Sequence, residues 1–140
     1  MKPPSTRSLS RGLTILKKKK AAPSRKLEAF PNRTPGRRYT VTLTCPEFTC
    51  VCPLTGQPDF GTITIHYIPD GKILESKSLK LYLWSYRQEG VFQEHLTNRI
   101  LDDVVRALQP HYCKVTGAFN ARGGISITVQ AEYQRPPAHG

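Results

Sequence analysis

Cys52 and Asp59 lie seven residues apart in the segment Cys52-Pro53-Leu54-Thr55-Gly56-Gln57-Pro58-Asp59. A thiolate is a strong nucleophile, but an unperturbed thiol is only a few per cent ionised at neutral pH, so a catalytic cysteine needs local activation. A carboxyl brought beside it could move protons for the reaction. The Pro- and Gly-rich composition between them reads as a loop at the rim of a rigid element, a common place for reactive groups. Spacing alone leaves a second reading open, in which both residues are bystanders in a connecting loop.

Other residues offer further chemistry. Cys45, Cys50 and Cys52, with His66, His95 or His111, are possible zinc ligands, but paired Cys-x-x-Cys knuckles are absent, and burial accounts for Cys45 and Cys113 more simply. Lys77, Lys80 and Arg87 fall along nearly one side of a helix, where they could meet phosphate; a solvated polar face explains them equally well. Glu94 opens a second helix, where the dipole favours a carboxylate whatever its role, and a carboxylate can also accept two parallel N–H bonds from a guanine-like edge. Arg122, beside Gly123 and Gly124, could contact phosphate, while a tight turn accounts for the glycines. Neither a Gly-x-Gly-x-x-Gly nor a Gly-x-x-x-x-Gly-Lys stretch occurs, so a dinucleotide would have to bind by another route.

The elements that must hold these groups are legible from periodicity. Tyr39, Val41, Leu43 and Cys45 alternate with Thr40, Thr42 and Thr44, and Ile63, Ile65 and Tyr67 with Thr62, Thr64 and His66, predicting two strands. Ser76 is placed to cap a helix carrying Leu79, Tyr82, Leu83 and Tyr86 on one face. Leu96, Ile100, Val104 and Leu108 predict a second helix from about Phe92 to Gln109, ended by Pro110. Strands through Cys113–Phe119 and Ile125–Tyr133 flank the turn Asn120-Ala121-Arg122-Gly123-Gly124. The order ββααββ implies an α+β domain: a four-stranded antiparallel sheet with two helices on one face. Its two open edges make oligomerisation an expectation.

The 140 residues carry a formal charge of +11, and twelve Lys or Arg against the single acid Glu28 put all of it in residues 1–38. That stretch, with Lys17-Lys18-Lys19-Lys20 and five prolines, reads as a basic disordered tail, whether a solvated extension, an RNA tether or a targeting peptide. Residues 39–135 are left as a formally neutral domain, with 136–140 as a short C-terminal tail. There is no apolar run long enough to span a bilayer and no signal-like apolar core, so the expected setting is cytoplasmic, with reduced thiols and no membrane partner.

Taken together, Cys45-Pro46-Glu47-Phe48-Thr49, Cys52 to Phe60, Glu75-Ser76-Lys77-Ser78-Leu79-Lys80-Leu81-Tyr82 and Arg122-Gly123-Gly124-Ile125 resemble the unimodular QueF-type nitrile reductases of queuosine biosynthesis. The resemblance covers residues 39–133. It implies reduction of 7-cyano-7-deazaguanine to 7-aminomethyl-7-deazaguanine, with two NADPH as cosubstrate because nitrile-to-amine reduction takes two hydrides. In that family the cysteine matching Cys52 forms a thioimide with the nitrile carbon, and the aspartate matching Asp59 handles protons. By the same resemblance Leu74, Glu75, Ser76, Gln93 and Glu94 bind the deazaguanine, while Ser76, Lys77, Lys80, Arg122 and Gly123 serve NADPH, without a metal. The fold implied is the tunnelling fold, whose subunits close their sheets into a barrel with shared active sites, often as a decamer of two pentamers.

Two positions depart from the family pattern. Gln93 stands where many members have His, and Leu96 where some have a Cys able to protect the nucleophile as a disulfide, so such a bond to Cys52 would need another partner; Cys50 lies nearby in sequence. Two other functions compete with the reductase: a zinc hydrolase resembling GTP cyclohydrolase, which shares the fold, and an RNA-binding module acting through the tail.

Overall fold

The computed structural model describes residues 21–138. Among the described residues, six strands and two helices follow one another as β1 (Ala29–Pro31), β2 (Val41–Val51), β3 (Pro58–Ile68), β4 (Lys72–Leu74), α1 (Ser76–Trp84), α2 (Gln93–Leu108), β5 (Tyr112–Arg122) and β6 (Ile125–Gln134). Four of the strands form an antiparallel sheet in the order β2-β3-β5-β6, and β1 pairs with β4 in a small second sheet. The two hairpins meet through β3 and β5, and the helices between them in sequence cover one face, α1 against β2 and α2 against β5 and β6. This is the α+β arrangement expected from the periodicity.

Alternation decides which side of each strand is buried. Ile63, Ile65 and Tyr67 on β3 and Cys113 and Val115 on β5 are buried against Leu79, Tyr82, Leu83, Leu96, Ile100, Val104 and Leu108 of the helices. Each such large apolar side chain contributes about 1.5–3 kcal/mol. The opposite face carries Thr62, Thr64, His66, Lys114 and Thr116, all half-buried.

β2 does not keep one parity throughout. Val41, Leu43 and Cys45 face the helices at odd positions, but the register shifts between Cys45 and Phe48, after which the buried residues are the even-numbered Phe48 and Cys50. Pro46 has no N–H for the ladder, and a bulge there adds the extra residue that reverses the inward side. The continuous alternation read from the sequence therefore ends at the bulge, and the bulge sends Cys50 into the core.

Both helices match their patterns, with corrections at their ends. Ser76 is not the cap of α1 but its first residue; the cap is Glu75, whose carboxylate oxygens accept from the Lys77 amide at 2.7 Å and the Ser78 amide at 2.8 Å. Helix α1 stops at Trp84, so Tyr86 reaches the core from the following turn. Helix α2 closes through Gln109, in the left-handed region at φ 48°, whose N–H donates to the Val105 carbonyl at 2.8 Å.

The expected tail of residues 1–38 needs correcting in its second part. Residues 1–20 lie outside the described residues. Residues 24–32 run along α1 and β4: the Ser24 amide donates to Leu81 O at 3.2 Å, Glu75 N to Glu28 O at 2.9 Å, and β1 pairs with β4. Composition concealed this because the segment borrows its order from neighbours already folded. Its backbone is satisfied by theirs, and the buried Asn32 accepts from Tyr39 Oη at 2.8 Å while donating to Asp70 O at 2.7 Å.

Candidate active site

The β2–β3 hairpin brings Cys52 and Asp59 into one cavity. Cys50 pairs across the ladder with Asp59 and Val51 with Pro58, so Cys52 is the first residue past the end of β2 and Asp59 the second residue of β3. The connecting loop is pinned at its neck, with the Cys52 amide donating to Gln57 O at 2.8 Å and the Gly56 amide to Cys52 O at 2.9 Å. Gly56 has φ +71°, a conformation a side chain would strain. A seven-residue spacing thus becomes a spatial neighbourhood because the chain turns back within six.

The cavity holds about 250 Å³ and is lined by Cys52, Asp59, Gln93, Arg122, Phe92 and Phe119, with Pro53, Asn120, Ile125 and Ile127 completing the wall. Asp59 is buried, and its carboxylate forms an ion pair with the Arg122 guanidinium. The Cys52 thiol is lowered to about 6 by the Thr55 side chain, the Arg122 guanidinium and the Thr55 and Leu54 amides, in that order. A thiol lowered in this way ionises more readily at neutral pH than a free one, which favours the form a nucleophile needs.

A brace stands behind the loop. Val51 N donates to Glu89 O at 3.0 Å, and Val91 N to Val51 O at 3.1 Å, fixing the strand end against the α1–α2 connection. Gly90 packs there so closely that an added Cβ would stand 3.2 Å from the Cα of Pro53. The Glu89 carboxylate pairs with Arg99 at 3.0 Å and with Arg25, whose guanidinium stacks 3.8 Å above the Tyr86 ring. Partial burial works against the charge of Glu89, but the two arginines outweigh it and hold its carboxyl below the ordinary range.

The remaining predicted residues lie elsewhere. Glu94 is exposed, next to Gln93 in the first turn of α2. Ser76 and Lys80 line a separate groove of about 500 Å³ between α1 and β2, with Cys45, Trp84 and Arg87. This groove shares no lining residue with the thiol cavity. Lys77 and Gly123 are exposed and line neither cavity, Leu74 is buried in the core, and Glu75 is engaged at the N-terminus of α1. Within one chain the structure gathers Cys52, Asp59, Gln93 and Arg122, and it does not bring the α1 residues to them.

All four cysteines are free, with Cys50 and Cys113 buried. Among the described residues no three His, Cys, Asp or Glu side chains come together as a metal-ligand set, and no helix is long and apolar enough to cross a membrane. Sequence reasoning missed Thr55 as a thiol partner, the facing of Arg122 toward Asp59, and Arg25 altogether. Thr55 was within the quoted motif, whereas the other two contacts join residues more than sixty apart and leave no trace in local spacing.

A family model described as QueF-like protein matches residues 58–138. The chain belongs to the QueF-like family. It is 68% identical over 124 residues to the NADPH-dependent 7-cyano-7-deazaguanine reductase of Syntrophus aciditrophicus, covering 89% of this chain and 88% of that protein. It is 56% identical over 116 residues to the protein of the same name from an Anaeromyxobacter species (strain K), covering 83% of this chain and 95% of the relative. A crystal structure of the archaeosine synthase QueF-Like in the apo form superposes with a TM-score of 0.61 at 28% identity, over 71% of this chain and 96% of that one. Family membership accords with the resemblance drawn from the motifs, and the solved neighbour places the α+β domain among QueF-like folds.

Proposed function

We propose that this chain is an NADPH-dependent nitrile reductase that converts 7-cyano-7-deazaguanine to 7-aminomethyl-7-deazaguanine, a step in queuosine tRNA modification. The observation that carries the reading is a lowered thiol at Cys52, a buried carboxyl at Asp59 and a guanidinium at Arg122 in one cavity, in a chain 68% identical to a reductase of that name. A thiolate adds to a polarised nitrile carbon to give a thioimide. A first hydride makes the tetrahedral thiohemiaminal, which expels the thiolate as an imine forms, and a second hydride completes the amine. The thiol suits both steps, as nucleophile and then as leaving group, and Asp59 moves the protons. The archaeosine synthase shares the fold, but at 28% identity it weighs less on the choice of reaction than the reductases do.

NADPH supplies hydride. On this reading Ser76, Lys77 and Lys80 hold its charged groups together with Arg122 and Gly123, and Glu94, with Gln93 before it, holds the deazaguanine edge beside Leu74, Glu75 and Ser76. Because the α1 groove and the thiol cavity share no residue, we place the complete site between subunits, with a neighbouring copy supplying the second set. β2 and β6 are the open edges of the sheet, and pairing them between copies closes a tunnelling-fold barrel. Assembly as two pentamers in the cytoplasm completes the proposal.

Purified protein is expected to consume two NADPH per nitrile, and incubation with the nitrile alone should add its mass to a peptide containing Cys52. Turnover that survives Cys52→Ala would overturn the mechanism. Stoichiometric zinc whose removal abolishes activity would favour a hydrolase instead.

A further inference from the structure

Cys52 and Asp59 share one cavity with Arg122, whose guanidinium pairs with the Asp59 carboxylate and also lowers the Cys52 thiol. Arg122 is the last residue of β5, beyond the point where β5 leaves β3 at Phe119 and where its register with β6 becomes irregular. Its backbone is therefore free of β3, and its side chain remains 39% exposed, while that of the carboxylate it covers is 8% exposed. Among the described residues that line the cavity, Arg122 is the one cation. Cys50 is buried and neutral in the core, and the charge of Glu89, behind the loop, is matched by Arg25 and Arg99.

Thioimide formation joins the sulfur to the nitrile carbon, breaks one C–N π bond, and places that electron pair on nitrogen, which then takes one proton; nothing is oxidised or reduced. A thiolate beside a carboxylate has no proton to give. We propose that Arg122 is the shared counter-ion of Cys52 and Asp59 in the resting site, and that nitrile capture exchanges this ion pair for one proton taken from solvent onto Asp59 and passed to the nitrogen. Arg122 thereby separates two states of one cavity, one ready to attack and one ready to protonate. The guanidinium released from Asp59 is free to meet an anion such as a cofactor phosphate. The proton exchange rests on the nitrile-reductase reading, whereas the counter-ion role does not.

The counter-ion role is tested on the full chain by following iodoacetamide alkylation of Cys52, mapped by peptide mass, from about pH 5 to pH 9. Arg122→Gln should raise the midpoint by about one pH unit, roughly a tenfold loss of rate well below it, and Arg122→Lys should restore most of the shift. Proton exchange is read in the unaltered protein at pH 7 with an indicator dye, where adduct formation should take up close to one proton per Cys52 modified. A midpoint unmoved in Arg122→Gln would overturn the counter-ion role, and adduct formation without proton uptake would overturn the exchange. Alkylation requires no turnover, so a chain that forms no nitrile adduct but shows the shifted midpoint would sink the reductase reading and leave the role of Arg122 standing.

Discussion

Cys50 and Cys52 are two residues apart, and their thiols are driven in opposite directions. Cys50 is fully buried among Phe48, Tyr86 and the sheet, and burial pushes its thiol up to about 11 despite the nearby Arg122. Cys52, one residue past the end of the strand, is lowered to about 6 by Thr55, Arg122 and two loop amides. The difference lies in what surrounds each sulfur, since desolvation penalises a thiolate and directed donors stabilise it. The contrast comes from where β2 ends: the same side chain is neutral packing inside the ladder and a readily ionised thiol beyond it.

The contrast can be broken most severely at Cys52 itself. Cys52→Ala should abolish both the mass adduct and NADPH consumption, whereas Cys50→Ala should keep the adduct and lose about 1 kcal/mol of stability in urea unfolding. Equal losses of turnover in the two variants would erase the distinction. Asp59→Asn comes next in size: reduction should slow roughly 10²- to 10⁴-fold in steady-state assays while Cys52 stays alkylatable, because on the proposed mechanism the proton carrier is lost and the thiol remains.

Acid provides a graded version of the same comparison. Because the folded thiol of Cys52 is depressed, its ionisation favours the folded state above the ordinary thiol range near 9, and this contribution fades as pH falls toward about 6. Cys50 has the opposite sign: its raised thiol opposes folding increasingly as pH rises above about 9. Alkylation of native protein at pH 7 should therefore label Cys52 and spare Cys50, and unfolding in urea should make the two equal. The smallest effect concerns the brace. Arg25→Ala removes an exposed ion pair and a cation–π contact, and should lower stability in urea unfolding by about 1 kcal/mol.

Much of the architecture was legible without coordinates. Strict alternation in Ile63–Tyr67 and Ile125–Tyr133 and the four-residue steps from Leu96 to Leu108 each match one backbone period, and all three became the expected elements. Less legible was anything that depended on a break in period or on a distant partner. The bulge at Pro46 reversed the inward side of β2, and the cap of α1 fell to Glu75 because both of its oxygens reach the amides of Lys77 and Ser78. Residues 24–32 looked like tail because their own composition supports no core, yet their backbone bonds are made to α1 and β4.

The sequence by itself determined the chemistry available to this protein: a thiol and a carboxyl on either side of a turn-rich loop, in a motif set specific enough to identify the family. Those properties are local, set by residue type and short spacing, and survive being read one segment at a time. Only the tertiary structure shows why the Cys52 thiol is lowered and the Cys50 thiol raised, because that depends on the strand ending between them and on Arg122 arriving from β5. Electrostatic stabilisation falls off with distance through space, and sequence separation says nothing of that distance until the sheet has formed.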